Sequence, residues 1–212
     1  MKKSLLTCAT TLYCLSVLAQ GKVQQLRSDT KPKSCPMLYL GINGGINNHN
    51  GLIGLSIEKT LGAQFSVGTG IGSSSWGYKA FAEGRFYFNN NCHRKLALGI
   101  GITRNLATNN FETNMGTNYG KQDIVLDLKP ATNAFVSLYH FWTIGRRQNK
   151  FYTQLGYSIK IEPGTYSIDS KTTNSFPAIA LTAESHNVLH AIMPGGVILG
   201  VGWYFGFEKN KG

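Results

Sequence analysis

Gly195 to Phe207 reads G-G-V-I-L-G-V-G-W-Y-F-G-F. Val197, Leu199, Val201, Trp203, Phe205 and Phe207 share one parity, opposed by Gly196, Gly200, Gly202, Tyr204 and Gly206. A period of two is the repeat of a β-strand, whose side chains point alternately to opposite faces. Large apolar groups therefore line one face, and mostly glycine the other. Phe151 to Ile161 repeats the pattern: Phe151, Thr153, Leu155, Tyr157, Ile159 and Ile161 oppose Tyr152, Gln154, Gly156, Ser158 and Lys160.

Working outward, five more segments alternate. Leu38, Leu40, Ile42 and Ile46 oppose Tyr39, Gly41, Asn43 and Gly45; Ile53, Leu55 and Ile57 oppose Gly54, Ser56 and Glu58. Phe65, Val67 and Ile71 oppose Gln64, Ser66, Gly68 and Gly70, and Leu96, Leu98, Ile100 and Ile102 oppose Ala97, Gly99, Gly101 and Thr103. From Tyr78 to Phe88 the apolar face is Ala80, Ala82, Phe86 and Phe88, with Lys79, Glu83, Arg85 and Tyr87 on the other. An eighth segment, Ala131 to Ile144, is aromatic on both faces and its register stays open: Phe135, Tyr139 and Phe141 compete with Val136, Leu138 and Trp142.

A soluble barrel also alternates, but it turns its large apolar residues inward and its Lys and Glu outward. Here the face opposite the apolar row is mostly Gly, Ser, Gln, Asn and Tyr, the composition of a narrow polar lumen, so the apolar row is expected to face lipid. Hydrocarbon tolerates no unpaired sheet edge, so such strands must close. The expected fold is all-β, a closed antiparallel transmembrane β-barrel of eight strands. Ten is the rival count, because Asp123 to Lys129 (D-I-V-L-D-L-K) and Ser175 to Thr182 (S-F-P-A-I-A-L-T) alternate in part.

With the N-terminus in the periplasm, the connections 59–62, 89–95 and 145–150 fall on that side and are short. The two long ones, about 109–130 and 162–190, fall outside, as in barrels of this kind. Lys59, Arg94, Lys95, Arg146, Arg147 and Lys150 would then form a basic periplasmic rim.

The N-terminus sets the compartment. Met1, Lys2 and Lys3 precede an apolar run from Ser4 to Leu18, and Val17 and Ala19 supply the small-residue pattern before a cleavage site. This is the layout of a secretory signal peptide, too short and too interrupted to span as a helix. The expected organisation is a signal peptide at 1–19, a periplasmic segment at 20–36, the barrel at 37–207 and a tail at 208–212. Glycine, 25 of 212 residues, exceeds the usual share of about 7%, while charged residues are only 15%; both favour a barrel over a helical enzyme. The net charge of +11 is scattered through turns and termini without a recognition motif, so no nucleic-acid partner is expected.

Taken together, the strand G-G-V-I-L-G-V-G-W-Y-F-G-F and the glycine-rich strands L-A-L-G-I-G-I and F-Y-T-Q-L-G-Y resemble the small outer-membrane β-barrels of the OmpA/OmpX type. The pattern is more closely similar to the single-domain outer-membrane barrels of Bacteroidota. The resemblance implies an outer-membrane location, contact with outer-membrane lipids and lipopolysaccharide, and insertion by the barrel-insertion machinery, which reads alternate aromatics in the last strand. In that family the terminal aromatic usually ends the chain; here Glu208 to Gly212 follow Phe207.

No catalytic, metal or cofactor signature emerges. His186 and His190 stand four apart, but Asn187 replaces the glutamate of a zinc-protease motif and the segment is not helical in pattern. Ser185, His186 and Glu184 carry the groups of a nucleophile, a base and an orienter, yet neighbours on a strand face opposite ways. Gly68, Gly70 and Gly72 lack the following helix of a phosphate-binding loop and read as lumen spacers. The inward charges Glu58, Lys79, Glu83, Arg85 and Lys160 are expected to neutralise one another as a structural plug. Cys35 and Cys92, the pair left once the signal peptide is removed, would form a disulfide at the periplasmic end.

The sequence thus leads to a non-enzymatic outer-membrane barrel with a plugged lumen and a structural or surface-interaction role; its loops name no ligand. The alternatives are a barrel enzyme acting on lipopolysaccharide or other lipid, and a narrow passive channel.

Overall fold

The computed structural model describes residues 36–88, 95–106, 108–145, 148–169, 172 and 179–207. The expected signal peptide, nearly all of the segment after it and the tail at 208–212 lie outside these residues. Eight strands form a closed antiparallel barrel: β1 (Leu38–Ile46), β2 (Ile53–Thr60), β3 (Phe65–Ser74), β4 (Gly77–Tyr87), β5 (Leu96–Leu106), β8 (Ala131–Ile144), β9 (Asn149–Glu162) and β11 (Gly196–Phe207). Closure is made by the first and last strands, which pair from Leu38 opposite Phe207 to Ile46 opposite Leu199. A closed ring leaves no barrel strand with an unpaired edge.

The remaining strands leave the ring. β6 (Phe111–Thr117) and β7 (Gly120–Leu128) form a hairpin, and β10 (Tyr166–Ile168) adds to β7, giving a separate three-stranded sheet in the order β10-β7-β6. The partial alternation of Asp123 to Lys129 does mark a strand, but its residues Ile124, Leu126 and Leu128 pack into a second core instead of widening the barrel. Of Ser175 to Thr182, the described part contributes one isolated bridge, Leu181 to Thr117, also outside the ring. The ten-strand count is excluded accordingly.

The histidine segment corrects a second expectation, because it is helical: α1 spans Ala183–Ile192. Thr182 caps it by accepting a hydrogen bond from the Ser185 backbone N–H, and Glu184 sits in the first turn, where the helix dipole favours negative charge. Leu189 is fully buried, and the helix joins the small sheet and Trp76 around a core that includes Met115, Ile124, Leu126, Leu128 and Met193. This cap grows from one end of the barrel, where β5 leads into β6 and β9 into β10. Trp76, in the β3–β4 turn, ties the two together by donating its indole N–H to the Lys129 carbonyl at 2.8 Å.

In the barrel the polarity is reversed. Leu40, Ile42, Leu55, Ile57, Ile100, Ile102, Leu155 and Leu199 point outward and are exposed, whereas Asn43, Ser56, Glu58, Glu83, Arg85, Ser137 and Gln154 are buried inside. The open register of Ala131 to Ile144 resolves the same way: Phe135, Ser137, Tyr139 and Phe141 face inward, Val136 and Leu138 outward. At the end opposite the cap, outward aromatics form a chain of ring contacts from Trp142 to Phe151 (5.5 Å between centroids), Phe151 to Trp203 (6.2 Å) and Trp203 to Phe205 (6.4 Å). Phe65, Phe86 and Phe88 make a second such group.

Candidate functional site

Three of the five expected inward charges meet in the half of the lumen away from the cap. Arg85, on β4, reaches Glu58 Oε2 on β2 at 2.8 Å and Glu83 on its own strand at 2.9 Å and 3.1 Å. Both ion pairs are fully buried. Glu83 and Arg85 are alternate residues of one strand and therefore share a face, which is why a single guanidinium can hold both carboxylates. The Tyr87 hydroxyl donates to Glu58 Oε1.

The fourth member is Lys150, which the sequence placed at the rim. It is fully buried on β9, with Nζ 4.0 Å from Glu58 Oε1 and 3.7 Å from the centroid of the Tyr39 ring. Two cations thus face two carboxylates, so the cluster is neutral. Aromatic walls add to it: the Arg85 guanidinium lies 4.4 Å from the Tyr139 ring centroid and 5.4 Å from that of Tyr204. A ring face stabilises a desolvated cation, which partly offsets the cost of burying it. Of the other expected rim residues, Lys59 and Lys95 are exposed.

Lys160 and Lys79 correct the expected network. Lys160 is exposed near the cap-side end of β9, next to a register shift at Thr132 and Asn133, and a long amphipathic side chain there carries its ammonium to water. Lys79 is buried but donates to the Asn48 carbonyl at 2.8 Å, and no carboxylate among the described residues lies within 4.0 Å of it.

Asn48 belongs to a feature the sequence did not announce. The loop joining β1 to β2 turns into the barrel, and Asn48, His49 and Asn50 are fully buried. Asn48 Nδ2 donates to Gln154 Oε1 at 2.9 Å, and Asn50 Nδ2 to Asn43 Oδ1 at 2.6 Å. The His49 ring lies 4.2 Å from that of Phe81 and stacks at 5.6 Å on Phe135. Two glycines make room: a Cβ at Gly72 would fall 2.0 Å from the Asn50 carbonyl oxygen, and one at Gly200 2.1 Å from Asn48 Nδ2. The first of these is one of the expected lumen spacers. The plug is therefore a charge cluster in the far half of the lumen and an inserted loop in the cap-side half.

The remaining candidates lie in the cap. Ser185 donates its hydroxyl to the Gly116 carbonyl at 2.9 Å, fastening α1 to β6. His186 Nδ1 contacts the Tyr166 hydroxyl, and partial burial raises the pKa of that phenol. No hydrogen bond joins Ser185 to His186 among the described residues, so the structure does not assemble them into a nucleophile and base. No group of three or more metal-ligating side chains occurs among the described residues, His190 included. Cys35 and Cys92, with Arg94, Arg146 and Arg147, lie outside the described residues. No family model, curated protein or solved structure matches this chain.

Proposed function

We propose that this chain is a non-enzymatic outer-membrane β-barrel whose lumen is closed by its own side chains and loop, and whose cap faces the exterior as a surface-interaction module. The observation that carries this reading is the inverted polarity of the barrel, with aliphatic residues on its exposed face and a neutralised charge cluster inside. Along β9 the outward row from Phe151 to Ile161 runs roughly 33 Å, or roughly 25 Å of height at a strand tilt of about 40°. That height matches the apolar band of an outer-membrane barrel, and the aromatic chain from Trp142 to Phe205 supplies one interfacial girdle.

The partners that follow are outer-membrane lipids and lipopolysaccharide around the band, and the barrel-insertion machinery at the alternating aromatics of β11. The inserted loop argues against a passive channel, because eight strands leave an interior that side chains alone can fill. Fractionation tests the reading: the processed chain is expected in the outer membrane, with heat-modifiable migration in gels. Recovery as a soluble periplasmic species overturns it.

A further inference from the structure

At the mouth of the barrel lies a buried cation that no carboxylate among the described residues approaches within 4.0 Å. Arg85 and Lys150 are matched by Glu58 and Glu83, whereas Lys79, only 4% exposed, has the Asn48 carbonyl and no carboxylate within 4.0 Å among the described residues. A buried ammonium without a counter-charge is costly, and it has three N–H groups to place. One goes to Asn48.

Lys79 also lines a narrow cleft between the inserted loop, the β3–β4 turn and Pro194. Asn105, directly opposite Lys79 in the β4–β5 register, lines the same cleft. Asn105 is 1% exposed, and its Nδ2 has no hydrogen-bond partner among the described residues. The Ser74 hydroxyl, which donates to the Gly77 carbonyl at 2.9 Å, lies 3.4 Å from Asn105 Oδ1, on the side of the amide away from the unpartnered N–H groups. Farther along the same inward face, Thr103 Oγ1 and both amide atoms of its register partner Asn133 are likewise buried without partners among the described residues. Buried polar groups in native proteins are satisfied, so Lys79 and Asn105, the two of these that line the cleft, call for a polar partner there.

A positive charge beside spare amide donors selects a negatively charged acceptor. We propose that this cleft binds the anionic end of a small molecule, one carboxylate or phosphate group, between Lys79 Nζ and Asn105 Nδ2. The proposal concerns the barrel mouth alone and holds whatever the cap binds.

The test is calorimetric titration of the full chain in non-ionic detergent with inorganic phosphate and, separately, with acetate, at constant ionic strength. At least one of the two is expected to bind, and which one it is identifies the group. Lys79→Met should weaken binding about tenfold or more, the scale of a lost charged hydrogen bond. Asn105→Ala should weaken it several-fold without touching the contact between Lys79 and the loop, and it decides the matter alone if Lys79→Met does not fold. Lys121→Met, at an exposed position of the cap hairpin, should change nothing. Binding of neither ion to the wild-type chain, or binding that Asn105→Ala leaves unchanged, overturns the proposal.

Discussion

The cap and the barrel are built from one chain under opposite rules. In the cap, Ile124, Leu126, Leu128 and Leu189 are buried while Lys121, Glu184 and His190 are exposed, the order expected of a domain in water. In the barrel, Ile100, Leu155 and Leu199 are exposed while Glu58, Arg85 and Lys150 are buried. On the reading proposed above, where an apolar side chain goes reports which solvent its element meets. Under that proposal the cap meets water and the barrel wall meets lipid.

Removing the centre of the lumen charge cluster should have the largest effect. Arg85→Leu leaves Glu58 and Glu83 buried with Lys150 as the one cation paired to the cluster among the described residues, and breaking a buried pair from one side costs about 3–5 kcal/mol. Unfolding of the variant in detergent is expected at clearly lower temperature or urea concentration. An unchanged profile would mean that water reaches the carboxylates, and the contrast between the lumen and an ordinary wet surface would fail.

Next comes the outer face. Val136 is exposed at the middle of the apolar band, beside Ile100 and Tyr157. Val136→Lys should cost about 2–4 kcal/mol in lipid, the penalty of a cation at the bilayer midplane. Urea titration from phospholipid vesicles measures it, and a neutral result would place that face in water.

The inserted loop yields a smaller effect. Asn48→Ala removes the donor to Gln154 Oε1, and a buried group left without its partner costs about 1–3 kcal/mol. The expected result is a modest fall in stability, together with faster amide exchange at residues 48–52. Exchange as slow as in the wild-type chain would show that the loop is held by the barrel wall alone.

What the sequence revealed and what it hid divide by range. Period-two alternation is local, so seven barrel strands and their facing could be read from it, and with them the inward placement of Glu58, Glu83 and Arg85; Ala131 to Ile144, aromatic on both faces, showed a strand but not which side faced in. Lys150 obeys the same parity as Tyr152 and Gln154, but its neighbourhood of turn residues disguised it as part of a rim. The loop residues Asn47 to Gly51 have the composition of any exposed turn. Only the small inward residues of distant strands, Gly72 on β3 and Gly200 on β11, explain why they go inside. The helix was missed because its stability comes from a cap at Thr182 and from packing of Leu189, not from a broad apolar stripe.

The smallest effect is the sharpest test of the two-solvent picture. Val188, on α1, is 55% exposed, close to the 43% of Val136, so by accessibility the two valines are equivalent. They differ only in the element that carries them: a helix of the cap against a strand of the barrel. Val188→Lys adds a charge to a surface that already presents Glu184 and His190, and such substitutions in water change stability by no more than about 0.5 kcal/mol. Measured in the same vesicles, it should be indistinguishable from the wild-type chain while Val136→Lys is not. Equal, small effects would put both faces in water and remove the basis for a membrane barrel; equal, large effects would place the cap in lipid as well and undo its assignment as the exterior module.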